Sequence, residues 1–356
     1  MLRFFGRSLL ALAILTALVL AAVLSYRAWR QYVGEIELAI TTPNGIDEAM
    51  FIQVRGVDEW ITIRGGDRSN PVLLMVHGGP GTALSPLATS LLDYEKDWTV
   101  VQWDQPGAGK TFRRAGGTIP ASTTIADIAA DGIAVAEFVA DHLDKSRIVL
   151  LGLSWGSVVG LDMVRVRPDL FTAYVGTGLF VHRDEGRVIA YERVLARART
   201  QNNAEAVAAL EPIGPPPYSR TIDVRTLNEW TAALATGPTG SAVDRLGQLL
   251  FAPRQSLADV SSHLRGYLAS DAQFDLGAMD LRRSGKEFAV PIVIIQGAED
   301  YGTPVELARS YLNSIAAPKT ELIVLEDAGH TALVDNAGAF LAALNASILP
   351  LTRTPP

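Results

Sequence analysis

The sequence predicts an α/β fold: a mostly parallel, doubly wound sheet with a helical cap insertion, preceded by one N-terminal transmembrane helix. Three observations carry this. Short apolar, β-branched runs without alternation recur along the chain and end at glycine or a polar turn, as strands buried on both faces do. Helical patterns lie between them, giving the βαβ order of a parallel sheet. Residues 8–25 form one uncharged apolar stretch.

A chain of 356 residues, 48% of them hydrophobic, can bury a sizeable core as one large or two ordinary domains. Only 19% of residues are charged, and the net charge of −7 is the wrong sign for a nucleic-acid surface. The chain has no cysteine, which excludes a disulfide framework, a thiolate nucleophile and a Cys-ligated zinc site.

The apolar stretch from Ser8 to Ser25 would span roughly 27 Å as a helix, close to the hydrocarbon thickness of a bilayer. Arg3 and Arg7 precede it; Arg27 and Arg30 follow. It is apolar all round, unlike an amphipathic core helix. It is longer than the apolar region of a signal peptide, and Val23-Leu24-Ser25 is a poor cleavage site. The expectation is a single-pass anchor over residues 1–30 with the rest extracytoplasmic, secretion after signal cleavage being the alternative. The nearly equal basic flanks leave only the α-amino group to set that orientation.

A short tether leads to Phe51–Arg55 and Trp60–Arg64, which alternate around Asp58 as an antiparallel hairpin should. The apolar runs follow at Val72–Val76, Val100–Trp103, Ile148–Leu151, Ala173–Val175, Ile292–Ile295 and Leu322–Leu325. Ile125–Leu143 has helical spacing, with Thr124 and Asp127 as its capping box. From 182 to 288 no strand run is evident. Amphipathic patterns such as Tyr191–Ala209 and the rigid Ile213–Tyr218 segment instead mark a helical cap, so the core is expected over 45–181 and 289–350.

Gly152-Leu153-Ser154-Trp155-Gly156 follows one buried run and opens an apolar helix. That strand–turn–helix setting makes G-x-S-x-G a nucleophile elbow rather than a chance Gly-Ser turn. A serine hydroxyl needs an adjacent base. Of the five histidines, His77 ends a strand, His142 sits on a helix, and His182 and His263 fall in the insertion. His330, in Ala328-Gly329-His330 after the final strand, is the base. The acid should follow the preceding strand, where Gly297-Ala298-Glu299-Asp300 offers two carboxylates. Asp300 is the better placed, between Gly297, which breaks the strand, and Pro304, which starts the next helix. It would fix the His330 tautomer and stabilise the imidazolium. His77-Gly78-Gly79-Pro80-Gly81 supplies the oxyanion hole, with the Gly79 and Trp155 amides as donors. A phosphate loop there would need a following Gly-Lys-Ser/Thr, which is missing; Gly107-Ala108-Gly109-Lys110 lacks the spacing.

On these residues the chain resembles the prolyl iminopeptidase family of α/β-hydrolases. The likeness rests on HGGPG at 77–81, WDQPGAG at 103–109, GLSWGS at 152–157, the Gly297…Asp300…Pro304 spacing and Ala328-Gly329-His330. It implies the α/β-hydrolase fold and removal of an N-terminal proline from short peptides through an acyl-enzyme, with no metal or cofactor. Ser154, Asp300, His330, Gly79 and Trp155 carry over by motif. Two positions depart: Pro106 stands where the family usually has arginine, and Lys110 where it often has serine. The family grips the substrate amine with cap glutamates beside a Trp-Glu motif. Here Glu229-Trp230 reverses that pair, and Glu192 and Glu211 are further cap acids, so these three are the substrate-binding candidates, each competing with a plain solvated helix residue. A carboxylesterase using the same triad is the alternative to the peptidase.

Overall fold

The computed structural model describes residues 2–234, 242–277 and 279–353. Eight strands form one sheet in the order β1-β2-β4-β3-β5-β6-β7-β8. β1 (Ile46–Val54) and β2 (Val57–Gly65) pair antiparallel, and β2 pairs antiparallel with β4 (Thr99–Asp104). Every later pairing is parallel, through β3 (Val72–Val76), β5 (Ile148–Leu153), β6 (Phe171–Thr177), β7 (Ile292–Gly297) and β8 (Thr320–Leu325).

The two-residue periodicity of a strand divides the core. Along β3, Val72, Leu74 and Val76 join one buried cluster, Leu73 and Met75 the other. The first cluster is covered by α3 (Ile125–His142), α4 (Trp155–Val166) and α10 (Val305–Leu312). The second is covered by α11 (Ala332–Asp335) and α12 (Ala337–Thr352). Both faces of the central strands are therefore dry, which is why their sequences do not alternate. β8 is the exception: as an edge strand it is only half buried, although its sequence reads like the others.

The hairpin turn is Arg55-Gly56, both at positive φ (46° and 93°), with Val54 opposite Val57. Such mirror-image turns match the twist of the flanking strands. The expected centre at Asp58 was therefore late, because alternation runs on through the turn and Arg55 carries no turn signature. The helix Tyr191–Ala209 is in fact two, α5 (Arg183–Thr200) and α6 (Ala204–Leu210), broken where Asn202 takes a φ of 55°. With α7 (Thr221–Leu234) they enclose a third apolar cluster that includes Val194, Leu210 and Leu227. α8 (Ala242–Phe251) and α9 (Leu257–Gln273) follow before β7.

The N-terminal helix α1 runs from Leu2 to Glu37, past the expected limit at residue 30. From Leu12 on it is long and apolar enough to cross a membrane, and its most apolar window has no residue buried inside the protein. No free tether follows. Arg27 and Gln31 donate to the Leu250, Ala252 and Gln255 carbonyls, and Tyr26 meets the Phe251 ring edge-on at 5.3 Å. The last turn of α8 leaves the Leu250 carbonyl without an intrahelical donor, and α1 satisfies it together with the Ala252 and Gln255 carbonyls of the segment that follows.

Candidate active site

Ser154 sits between β5 and α4 with φ 55° and ψ −120°, a region that is costly for a residue with a Cβ. Close packing imposes it. A Cβ on Gly156 would lie 2.1 Å from the Val76 carbonyl oxygen, and one on Gly152 would lie 2.5 Å from that of Gly156. Both glycines are therefore required. The Ser154 amide donates to Thr177 O at 2.9 Å, tying the turn to the end of β6. Ser157 Oγ donates to Ser154 O at 2.5 Å and accepts from the Phe180 amide at 3.1 Å, bracing the same junction.

Asp300 follows β7 and is fully buried. Its carboxylate accepts from His330 Nδ1 at 3.0 Å, Gln296 Nε2 at 2.8 Å, the Thr303 amide at 2.8 Å and Thr303 Oγ1 at 2.5 Å. Burial pushes its pKa up, but the charge and hydrogen bond of His330 and the Thr303 donors outweigh that and hold it below the ordinary carboxylate value. The same pairing acts in reverse on His330. Burial pushes the imidazole down; the Asp300 charge and hydrogen bond, with Asp335, raise it above its ordinary value. The His330 side chain stays 40% exposed. Its ring packs against Gly178, where a Cβ would stand 3.0 Å from Cε1. Since Gly178 directly follows Thr177, the imidazole and the Ser154 turn converge on the end of β6.

The loop after β3 lies over the elbow: a Cβ on Gly78 would be 3.1 Å from Ser154 Cβ. Gly79 has φ 118°, and a side chain there would meet Gly81 N at 2.7 Å. The Trp155 amide is the first of α4, where helix N–H groups lack intrahelical acceptors. Among the described residues neither the Gly79 nor the Trp155 amide has a protein acceptor.

Sequence reasoning did not find what holds this loop. His77 Nδ1 donates to Gly78 O at 2.8 Å, while its Nε2 accepts from the Gln105 amide at 3.1 Å. Gln105 Nε2 donates back to His77 O at 2.9 Å, and Gln105 Oε1 accepts from Trp155 Nε1 at 3.1 Å. One glutamine thus couples the two loops that carry the donor amides. Burial pushes the His77 pKa down to about 4, so this ring stays neutral and serves as a strut. The signal was present in the 103–109 motif, but only the fold assigns it a task.

The other histidines are accounted for. His142 pairs with Glu48 at 2.6 Å, His182 caps α5 by accepting from the Glu185 amide, and His263 is buried in α9 with its pKa pushed down to about 4 by burial. Glu299, the rival acid, makes a bidentate ion pair with Arg197, one contact at 2.8 Å.

The cap glutamates are not brought to this site. Glu192 is exposed, Glu211 pairs with Arg199 at 2.8 Å, and Glu229 pairs with Arg225 one turn away at 2.6 Å. None of the three has a described contact with Ser154, Asp300 or His330. Lys110, the departure from the family's serine, donates to Asp259 of α9 at 3.2 Å and to Arg254 O at 2.9 Å. Its ammonium lies 5.0 Å from the Trp60 ring centroid. It therefore fastens the cap to the core.

Comparisons with known proteins agree with this architecture. Over 303 residues the chain is 28% identical to the probable aminopeptidase YbaC of Bacillus subtilis, covering 83% of this chain and 94% of that one. It is 29% identical to a probable proline iminopeptidase of Streptomyces coelicolor over 296 residues, 78% of this chain and 88% of the relative. The crystal structure of a proline iminopeptidase-related protein from Thermus thermophilus superposes with a TM-score of 0.55 at 22% identity, covering 86% of this chain and 99% of that one. The resemblance to prolyl iminopeptidases read from the motifs is thus a relationship extending over most of the chain. Residues 73–344 match the alpha/beta hydrolase family, and the chain belongs to it.

Proposed function

We propose that this hydrolase works through a serine acyl-enzyme, with Ser154 as nucleophile, His330 as base and Asp300 as the orienting acid. The observation that carries the reading is the hydrogen bond from His330 to the buried Asp300 beside a positive-φ serine. In this mechanism Ser154 Oγ attacks the acyl carbon while His330 Nε2 takes its proton. The Gly79 and Trp155 amides receive the oxyanion, and the imidazolium then protonates the leaving group. Water, activated by the same histidine, releases the acyl group. Asp300 stays ionised throughout, consistent with its lowered pKa.

For the substrate, the geometry favours a carboxylic ester. An N-terminal peptidase must pair its substrate's ammonium with carboxylates near the triad. The three candidate glutamates are exposed, and two of them are already paired to arginines. The second reading, removal of an N-terminal residue such as proline from short peptides, is favoured by the likeness to a probable aminopeptidase and a probable proline iminopeptidase. Comparing kcat/KM on Pro-β-naphthylamide and on p-nitrophenyl acyl esters decides between them. Ester turnover alone supports the first reading; a dominant rate on the prolyl amide replaces it with the second.

We also read α1 as a single-pass anchor with the catalytic domain on the extracytoplasmic side. The apolar run from Leu12 to Ser25, exposed throughout, supports the anchor. A signal sequence cleaved after Ser25 would leave the docked second half in place. Fractionation therefore decides: an anchored chain stays with the membrane after a carbonate wash and keeps the mass of an intact N-terminus.

A further inference from the structure

A cavity of about 200 Å³ lies between the first turns of α5, the helix α7 and the two residues after the acid, Tyr301 and Gly302. Gly302 borders the triad directly: a Cβ there would stand 3.5 Å from both Asp300 Oδ1 and His330 Nδ1. Two cations, Arg183 and Arg187, line this cavity one turn apart on α5, facing Asn228 and Thr231 of α7. Among the described residues no carboxylate lines it.

The two arginines differ from the rest of their helix. Further along α5, Arg197 is held by Glu299, and Arg193 donates to Ala298 O and stacks on Tyr301 at 4.7 Å. Arg183 has no described partner of this kind. Arg187 reaches only the exposed Asp184, at 3.7 Å. Glu185, the other acid of that turn, is occupied by Arg282 at 2.7 Å. Burial and repulsion from Arg183 both depress the Arg187 pKa, so the two guanidinia are close enough to feel each other. Like charges gathered in a half-buried cavity are costly unless an anion joins them. The α5 N-terminus adds its own positive end at Arg183.

We propose that this cavity is a subsite for a carboxylate carried by the substrate, with Arg183 and Arg187 as its cationic grip. This rests on the serine-hydrolase reading and narrows its substrate class to short acyl compounds bearing a carboxylate. The cavity holds several waters, enough room for a carboxylate on a short chain. The same arginines repel an N-terminal ammonium.

The test compares matched esters. Mono-p-nitrophenyl glutarate against p-nitrophenyl pentanoate places the carboxylate on the acyl side. 4-Acetoxybenzoate against 4-acetoxybenzamide places it on the leaving group. A charge-assisted hydrogen bond supports a preference of about tenfold or more in kcat/KM. One pair should show that preference in the native protein, which identifies the side, and Arg183→Gln with Arg187→Gln should remove it. A preference for neither anionic ester, or one that survives both substitutions, overturns the proposal. Absence of any Ser154-dependent turnover would sink the serine-hydrolase reading instead. In that case titration of glutarate into Ser154→Ala protein decides alone. Millimolar binding weakened about tenfold by Arg183→Gln supports the subsite. No binding, or binding indifferent to the arginine, overturns it.

Discussion

In the proposed mechanism His330 carries the pH dependence. Only neutral imidazole can accept the Ser154 proton, so kcat/KM should rise with pH through one ionisation above the ordinary value of 6.5, because Asp300 holds the proton on. Asp300→Asn removes that charge. The limb should move to lower pH, and kcat should fall by as much as about 10⁴-fold as the tautomer is lost, the size seen for the equivalent change in the chymotrypsin-type triad. A pH–rate profile of the two proteins checks both effects. A second carboxyl answers to the opposite sign. Glu59 is fully buried, accepts from Trp103 Nε1 at 2.6 Å and leaves Oε1 without a partner; burial, then the Asp131 charge, raises its pKa to about 8. An acid raised on folding is ionised in the unfolded chain first, so its cost grows from pH 4.5 to about 8 and then levels. Glu59→Gln should therefore raise Tm more at pH 9 than at pH 5, by scanning calorimetry. At this scale the sequence is readable where the constraint is local. The elbow needs glycine at 152 and 156 because backbone occupies the space of a Cβ. Gly297 and Pro304 bracket Asp300, which meets His330, while Glu299 goes to Arg197. Gln105 sits in a motif in plain view, yet it ties to His77, 28 residues before it, and to Trp155, 50 residues after it.

Among the elements, α3 and its Thr124–Asp127 capping box are legible because both groups fall within one turn of chain. The cap is the reverse case. Whether Glu192, Glu211 or Glu229 meets the active site depends on how α5, α6 and α7 pack on one another, and their sequences say only that each has a polar face. The α2–α9 contact has the same character. α2 (Gly109–Arg114) brings Lys110 and Arg113 to the buried Asp259 at 3.2 and 3.1 Å. Gly266 of α9 approaches so closely that a Cβ would lie 2.5 Å from Gly107 O. Asp259→Asn removes the charge that both cations share. Since Arg113 is 46% exposed, the loss should be about 2 kcal/mol rather than the ~3–5 kcal/mol of a fully buried pair. Urea unfolding measures this, and an unchanged midpoint would show that the latch contributes nothing to stability.

At the scale of the molecule, α1 has two tasks along one helix. The run from Leu12 to Ser25 is apolar and exposed, and the second half, from Tyr26 to Glu35, docks on the end of α8 and on Arg254. Deleting residues 2–25 should therefore give a protein that purifies without detergent and keeps its Tm. Deleting 2–37 strips the donors from the Leu250, Ala252 and Gln255 carbonyls and should lower Tm measurably. The apolar span is evident in the sequence because it is one uninterrupted uncharged run. The docked half is not, because its contacts lie more than two hundred residues away. In the proposed mechanism Ser154 is the nucleophile and the Asp300–His330 pair activates it. The most direct measurement is intact-mass and peptide mapping after treatment with a fluorophosphonate. A single adduct is expected on the peptide containing Ser154, absent in Ser154→Ala and formed far more slowly in His330→Ala. An adduct on another serine, or labelling at an undiminished rate without His330, would contradict it.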